Sequence, residues 1–459
     1  MQRAIAMGVA AIALLAVGCG GSGERARPDE KRTPLIVWII ENEPDRVSAA
    51  RADVARFARS SKRELTIVPV EHDQLAERMA SATRNGTQPD AVQLPMATAH
   101  AYARQGLLNA DAAQDVVDRL GESTFSARAL SLLTSDGRVA AVPSDGWGQL
   151  LIYRKDLFDR AGLPAPANLD DVLHAARRLD RGNVAGITLA TGGKDAFTAE
   201  TFEHVALAAN CQLVDSGGTV TIASPQCRAA FKLYVELAGH SPRGVQDVES
   251  TRDAYFAGRA AMIFWSPFLL DAMAGLRDEA VPTCPQCRAD PGYLAKHSGL
   301  VGPLGGTGSA AAQFGEISTW GITTKGDANG AKSFVEFMMS DGYLPWLGVS
   351  PQGKYPVRFG DRSDPDRFVR EWAGLQSGVD RKAPLSRFYS SKSIESLGEG
   401  VQRFRRWGFE QGQAPLVGAM SESQPIPAAL AAAIAGTMSP DQAARQAQQA
   451  VQQLATSAG

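Results

Sequence analysis

Several short stretches of this 459-residue chain gather side chains suited to holding a neutral, hydroxyl-rich molecule. Glu41, Asn42 and Glu43 form one; Asp145 and Trp147 belong to Ser144-Asp145-Gly146-Trp147; Trp265, Ser266 and Phe268 belong to Phe264-Trp265-Ser266-Pro267-Phe268; Glu316, Thr319 and Trp320 lie within Gly315 to Gly321. Carboxylates, amides and hydroxyls exchange hydrogen bonds with hydroxyl groups, and an indole offers a flat apolar face to the C–H side of a sugar ring. Gln93, at the end of the third strand, follows the same logic, and Arg358 is a weaker candidate, because a charged residue in a loop is usually just solvated. Structural alternatives stand beside these readings: Glu41, Asn42 or Glu43 can cap a helix, and Trp147 can pack in a core. Glu41, Asp145 and Glu316 also supply acids for a glycoside hydrolase, which needs a carboxyl pair about 5 to 10 Å apart.

Other chemistries find little support. The six histidines are scattered without ligand spacing, and neither a Gly-x-Ser-x-Gly elbow, a Walker loop nor a His-Glu-x-x-His helix is present. Gly302 to Gly308 is glycine-rich but lacks the Lys-Ser/Thr ending of a phosphate loop, so it reads as a connector. Cys284-Pro-Gln-Cys287 has no second Cys-x-x-Cys to complete a zinc site, so neither metal nor cofactor is expected. A net charge of -2 gives no hint of nucleic-acid binding.

The N-terminal segment places the chain outside the cytoplasm. Arg3 precedes the apolar run Ala4 to Val17, and Gly18-Cys19 follows, as in a secretory signal with a lipoprotein-type cleavage site. Residues 1–18 then read as the signal, Cys19 as the lipid-bearing residue, and 19–33 as a flexible tether. Cleavage near Gly20 or Gly21, with Cys19 discarded, is the alternative. The remaining Cys211, Cys227, Cys284 and Cys287 form an even set, paired here as Cys211 with Cys227 and Cys284 with Cys287.

The elements that must position these groups alternate. Leu35 to Ile40 is a continuously apolar run, a strand buried on both faces, and Pro44 opens a helix with Val47, Ala50, Val54 and Phe57 at helical spacing. Leu65 to Val70 and Ala91 to Leu94 add strands, each followed by a helix. A second region repeats the alternation with strands at Gln149 to Tyr153 and Gly186 to Ala190, and a final helix starts at Ser439-Pro440. Such order implies an α/β fold with open, mostly parallel sheets, whose ligands bind beyond the carboxyl ends of the strands.

In pattern, the chain resembles the extracellular solute-binding proteins of ABC importers, in the carbohydrate-binding branch that includes maltose-binding protein. The resemblance rests on Pro89-Asp90-Ala91-Val92-Gln93 leading to Gln105-Gly106-Leu107-Leu108, on Leu151-Ile152-Tyr153-Arg154-Lys155-Asp156-Leu157-Phe158, on Phe256-Ala257-Gly258-Arg259-Ala260-Ala261-Met262, and on Trp265-Ser266-Pro267 and Trp320-Gly321-Ile322. It implies a two-lobed periplasmic-binding-protein-like fold with a ligand cleft between lobes. The lobes would be residues 34–143 with about 290–345, and 144–289 with about 346–459. It further implies a monomer that is not an enzyme, anchored at the outer face of the membrane, that closes on a sugar or related solute and docks on ABC permease subunits. It places Trp147 near a ligand-touching position and Trp265 and Ser266 in a ligand-contacting loop. Leu94 and Ala97 stand where close relatives of maltose-binding protein carry aromatic and acidic residues, which argues against maltose itself. A solute-sensing adaptor for a membrane receptor would keep the same pocket and change only the partner.

Overall fold

The structure, a computed structural model, describes residues 33–41, 43–306 and 310–458. Its nine principal strands are β1 Leu35–Ile39, β2 Leu65–Pro69, β3 Ala91–Pro95, β4 Val142–Gly148, β5 Leu150–Arg154, β6 Met262–Trp265, β7 Ser298–Val301, β8 Gly315–Ile322 and β9 Tyr355–Pro356. They build two main sheets, one per lobe. The first runs in the order β9-β4-β8-β3-β1-β2 and the second in the order β6-β5-β7. β1 pairs in parallel with β2 and β3, whereas β8 runs antiparallel to both β3 and β4.

Local sequence explains the first β-α unit. Four of the five β1 residues are buried, Ile36 being the exception, and Pro44 takes the first turn of the helix Pro44–Ser61, where its missing N–H costs nothing. Val47, Ala50, Val54 and Phe57 bury the face that covers the sheet. Lys62, in the left-handed region at φ 51°, ends the helix. The final helix Pro440–Ala458 is capped reciprocally: Gln442 N–H donates to Ser439 Oγ at 3.3 Å and Ser439 N–H to Gln442 Oε1 at 2.8 Å. Both expected disulfides are formed, Cys211 with Cys227 and Cys284 with Cys287, all four sulfurs in the interior.

The structure redraws the lobe boundaries. β4 belongs to the first sheet and β5 to the second, so the first crossing falls at Gly148-Gln149 rather than after Pro143. β7 pairs with β5, which carries the second lobe to Val301 instead of ending it near 289. β9 pairs with β4, so the chain stays in the first lobe past residue 346 and crosses again only near Arg405. Gly186 to Ala190 is extended but pairs only through single bridges, Ala185 with Ala260 and Thr188 with Ile263. Among the described residues no helix is long and apolar enough to cross a membrane, and no cluster of His, Cys, Asp or Glu could hold a metal ion.

Candidate functional site

Two buried polar networks lie at the carboxyl edge of the first sheet. The first joins Glu41, just past β1, to Asp145 of β4 through Lys354, which precedes β9. Lys354 Nζ stands 2.6 Å from Glu41 Oε1, 3.6 Å from Asp145 Oδ1 and 4.3 Å from the centre of the Trp346 ring. Asp145 Oδ2 accepts from Trp346 Nε1 at 3.0 Å and from Ser144 Oγ at 2.7 Å. Gln93 Oε1 accepts the Ile40 N–H at 3.1 Å, tying β3 to the end of β1. Burial works against the Glu41 charge, but the neighbouring Lys354 and Arg46 cations outweigh it and hold the carboxyl below its ordinary range. The same carboxylates overcome the burial of Lys354 and raise its pKa.

The second network spans both lobes. Arg406 Nη1 lies 2.5 Å from Glu316 Oε2, at the start of β8, and its Nε lies 3.1 Å from Glu203 Oε1, on the second-lobe helix Ala196–Ala208. Glu203 Oε1 also accepts the Trp407 N–H at 2.7 Å, and Glu316 Oε1 accepts the Met96 N–H at 2.9 Å. The Arg406 guanidinium rests over the Phe314 ring at 4.6 Å. Burial opposes its charge, yet Glu203 and Glu316 raise its pKa above the ordinary value. Glu200, one turn before Glu203, keeps partial contact with solvent while enough protein surrounds it to push its carboxyl up to about 8. Burial is the main cause; the Glu316 charge adds to it and Arg406 counters it.

This gives a prediction with a definite sign. A carboxyl raised above its unfolded value binds a proton in the native state that the unfolded chain gives up, so stability falls as pH rises from about 4.5 to about 8. Glu200→Gln removes that contribution. Urea unfolding of both proteins across this range is expected to show a stability slope flatter in the variant by up to about 1.4 kcal/mol per pH unit.

Partly exposed groups surround these networks where the lobes meet. Trp147 faces Glu316 across the β4–β8 pair and packs against Phe314 at 5.7 Å. Phe197 packs edge-on against the largely buried Trp265 at 4.8 Å, and Ser266 follows. Phe268 lies under the Arg46 guanidinium at 5.1 Å, and Arg277 pairs with Glu43, so two contacts link the first helix to the second lobe. Glu43 occupies the cap position of that helix but makes no side-chain capping bond. These contacts gather Glu41, Gln93 and Asp145 near Lys354, Trp147 and Glu316 near Phe314 and Arg406, and Glu43 and Phe268 near Arg46, while Trp265 meets Phe197 and Ser266 follows it in the chain.

Three candidate ligand groups lie elsewhere. Thr319 and Trp320 are fully buried: Thr319 donates to Leu94 O at 3.0 Å, and Trp320 packs between Phe334 and Trp346. What the sequence presents as a glycine-bounded loop is the long strand β8 between β3 and β4, so only its first residues reach the edge. Arg358 is buried against Phe125 and Phe368 and donates to Thr124 Oγ1 and to the Leu120 and Met339 carbonyls, which makes it a brace of the first lobe. Asn42 and Cys19 lie outside the described residues. Sequence reasoning missed Arg46, Glu200, Glu203, Lys354 and Arg406. A signal existed for one pair: Glu200 and Glu203 stand one turn apart as the two carboxylates of a mostly apolar helix.

Comparison with known proteins agrees with this architecture. YcjN of Escherichia coli (strain K12), provisionally named an ABC transporter periplasmic-binding protein, is 28% identical over 345 residues, 72% of this chain and 74% of that one. The structure of maltose-bound MalE3 from T. maritima superposes with a TM-score of 0.70 at 20% identity, covering 91% of this chain and 99% of that one. An ABC transporter solute-binding protein of Agrobacterium radiobacter K84 in complex with ribitol gives 0.68 at 20% identity, covering 92% and 98%. One from Thermotoga lettingae TMO bound with α-D-tagatose gives 0.71 at 17%, covering 92% and 99%. The two-lobed fold is thus that of periplasmic binding proteins, and with the family model matching residues 41–344, the chain belongs to the bacterial extracellular solute-binding proteins.

Proposed function

We propose that this chain captures a polyhydroxylated solute, a sugar or polyol, between its lobes and delivers it to the permease of an ABC importer, tethered to the membrane through a lipid on Cys19. The observation that carries the reading is a set of partly exposed rings and polar groups on the elements flanking the crossings: Trp147 and Ser318 on the paired strands β4 and β8, Phe197 and Glu200 one turn apart on the helix Ala196–Ala208, and Ser266 and Phe268 just past β6. Apolar ring faces flanked by hydroxyl and carboxyl groups suit a ring with C–H faces and hydroxyl edges. Family membership and solved relatives holding maltose, ribitol or tagatose support the same solute class. Closure follows as a population shift, since a ligand that touches both lobes favours the form in which they meet.

The arrangement weighs against a carboxylate-pair hydrolase. Glu41 and Asp145 flank one buried lysine, Glu316 is bound to Arg406, and Glu41 is held in its ionised form rather than as a proton donor. A thermal-shift screen of the protein against sugars, polyols and amino acids, with product assayed in the same wells, tests the proposal. A saturable rise in melting temperature with the solute recovered intact is expected, because a native-state ligand stabilises by mass action. Product that tracks the protein and vanishes on replacing Glu41, Asp145 or Glu316 would overturn it.

A further inference from the structure

The three segments that cross between the lobes converge on one residue, Gln313. It is 3% exposed, and its amide Nε2 donates to the Gln149 carbonyl, at the first crossing, at 2.9 Å. Its backbone carbonyl accepts the Arg405 N–H, at the third crossing, at 2.8 Å. The next residue, Phe314, accepts the Gln149 N–H at 2.8 Å and bridges to Arg405. Gln313 thus stitches the second crossing, on which it sits, to the other two.

Glycines make room for it on every side. A Cβ on Gly148 would lie 2.6 Å from Gln313 Nε2, one on Gly302 3.0 Å from both amide heteroatoms, and one on Gly400 3.1 Å from both. None of these glycines has the positive φ that itself demands glycine. What they provide is space for a single amide, and they come from the ends of β4 and β7 and from the last turn of the helix Ser391–Arg403.

We propose that Gln313 is the pivot of lobe closure, a positioning residue whose buried amide sets the angle at which the three crossings hold the lobes apart. This rests on the closure described under Proposed function, and the two can be tested separately. Nitroxide labels at Arg51→Cys and Lys232→Cys, both on exposed positions of opposite lobes, report the interlobe distance in a Cys19→Ala background. In ligand-free protein, Gly148→Ala and the milder Gly400→Ala are expected to shift the mean distance, and in a Gln313→Ala background the same glycine changes are expected to add nothing to the distance of Gln313→Ala alone, because the methyl then meets no amide.

Gln313→Glu keeps the shape, loses the donor to Gln149 and is expected to shift the distance by itself. Glycine variants with lower melting temperature but wild-type distances would give Gln313 a purely structural role and overturn the proposal. So would shifts that persist in the Gln313→Ala background. Closure itself fails instead if the wild-type distance is unchanged by whichever solute raises the melting temperature in the screen.

Discussion

Replacing Arg406 by methionine is expected to lower the unfolding free energy by about 3–5 kcal/mol, because removing one partner of a buried ion pair leaves uncompensated charge in the interior. Here the loss strands two carboxylates, Glu203 and Glu316, and withdraws the cation that counters the rise of Glu200. Arg406→Lys is expected to recover little, since an ammonium cannot present two separate N–H edges to carboxylates on different lobes. Urea unfolding monitored by tryptophan fluorescence checks the loss. Adding Glu203→Gln and Glu316→Gln to Arg406→Met is expected to restore a substantial part of it, and a triple variant no more stable than the single one would show that the charges are not its cause.

Lys354→Met is expected to cost a similar amount, about 3–5 kcal/mol at neutral pH, by leaving Glu41 and Asp145 without their shared cation. Its pH dependence is diagnostic. In the native protein the Glu41 carboxyl is lowered, so its stabilising contribution is present above its unfolded value of about 4.5 and is lost as pH falls through the lower folded value. Without Lys354, burial becomes the leading influence on Glu41, its carboxyl rises, and ionising it in the folded state costs stability as pH increases. The gap between native protein and variant is therefore expected to widen from about pH 4 to pH 7, measured by urea unfolding at each pH. A constant gap would mean that Lys354 acts through its packing over Trp346 rather than through charge.

Features determined within a few residues were legible in the sequence. The apolar run of β1, the proline opening the first helix and the Ser439 cap follow from local composition, and the even cysteine count implies two disulfides whose partners the structure supplies. The crossings were less legible, because β4 and β5 are separated by Gln149 alone yet join different sheets, and nothing local distinguishes them. The networks were least legible. Lys354 finds Glu41, and Arg406 finds Glu203, only after sheet pairing brings distant segments together. Trp320 shows the converse error: a tryptophan in a polar, glycine-bounded stretch looks ligand-facing until β8 is seen to lie inside the sheet.

The place of β8 also bears on how the molecule is made. It separates β3 from β4 in the finished sheet, yet it begins only at Gly315, long after both of its neighbours have left the ribosome. Chains emerge at about 5–20 residues per second, so β1, β2 and β3 can pair with one another while β3 and β4 still wait many seconds for the strand that joins them. The first lobe therefore cannot complete its core until most of the chain exists. For a member of an extracellular family, that delay keeps the nascent chain loose during the interval in which it must still be threaded across a membrane.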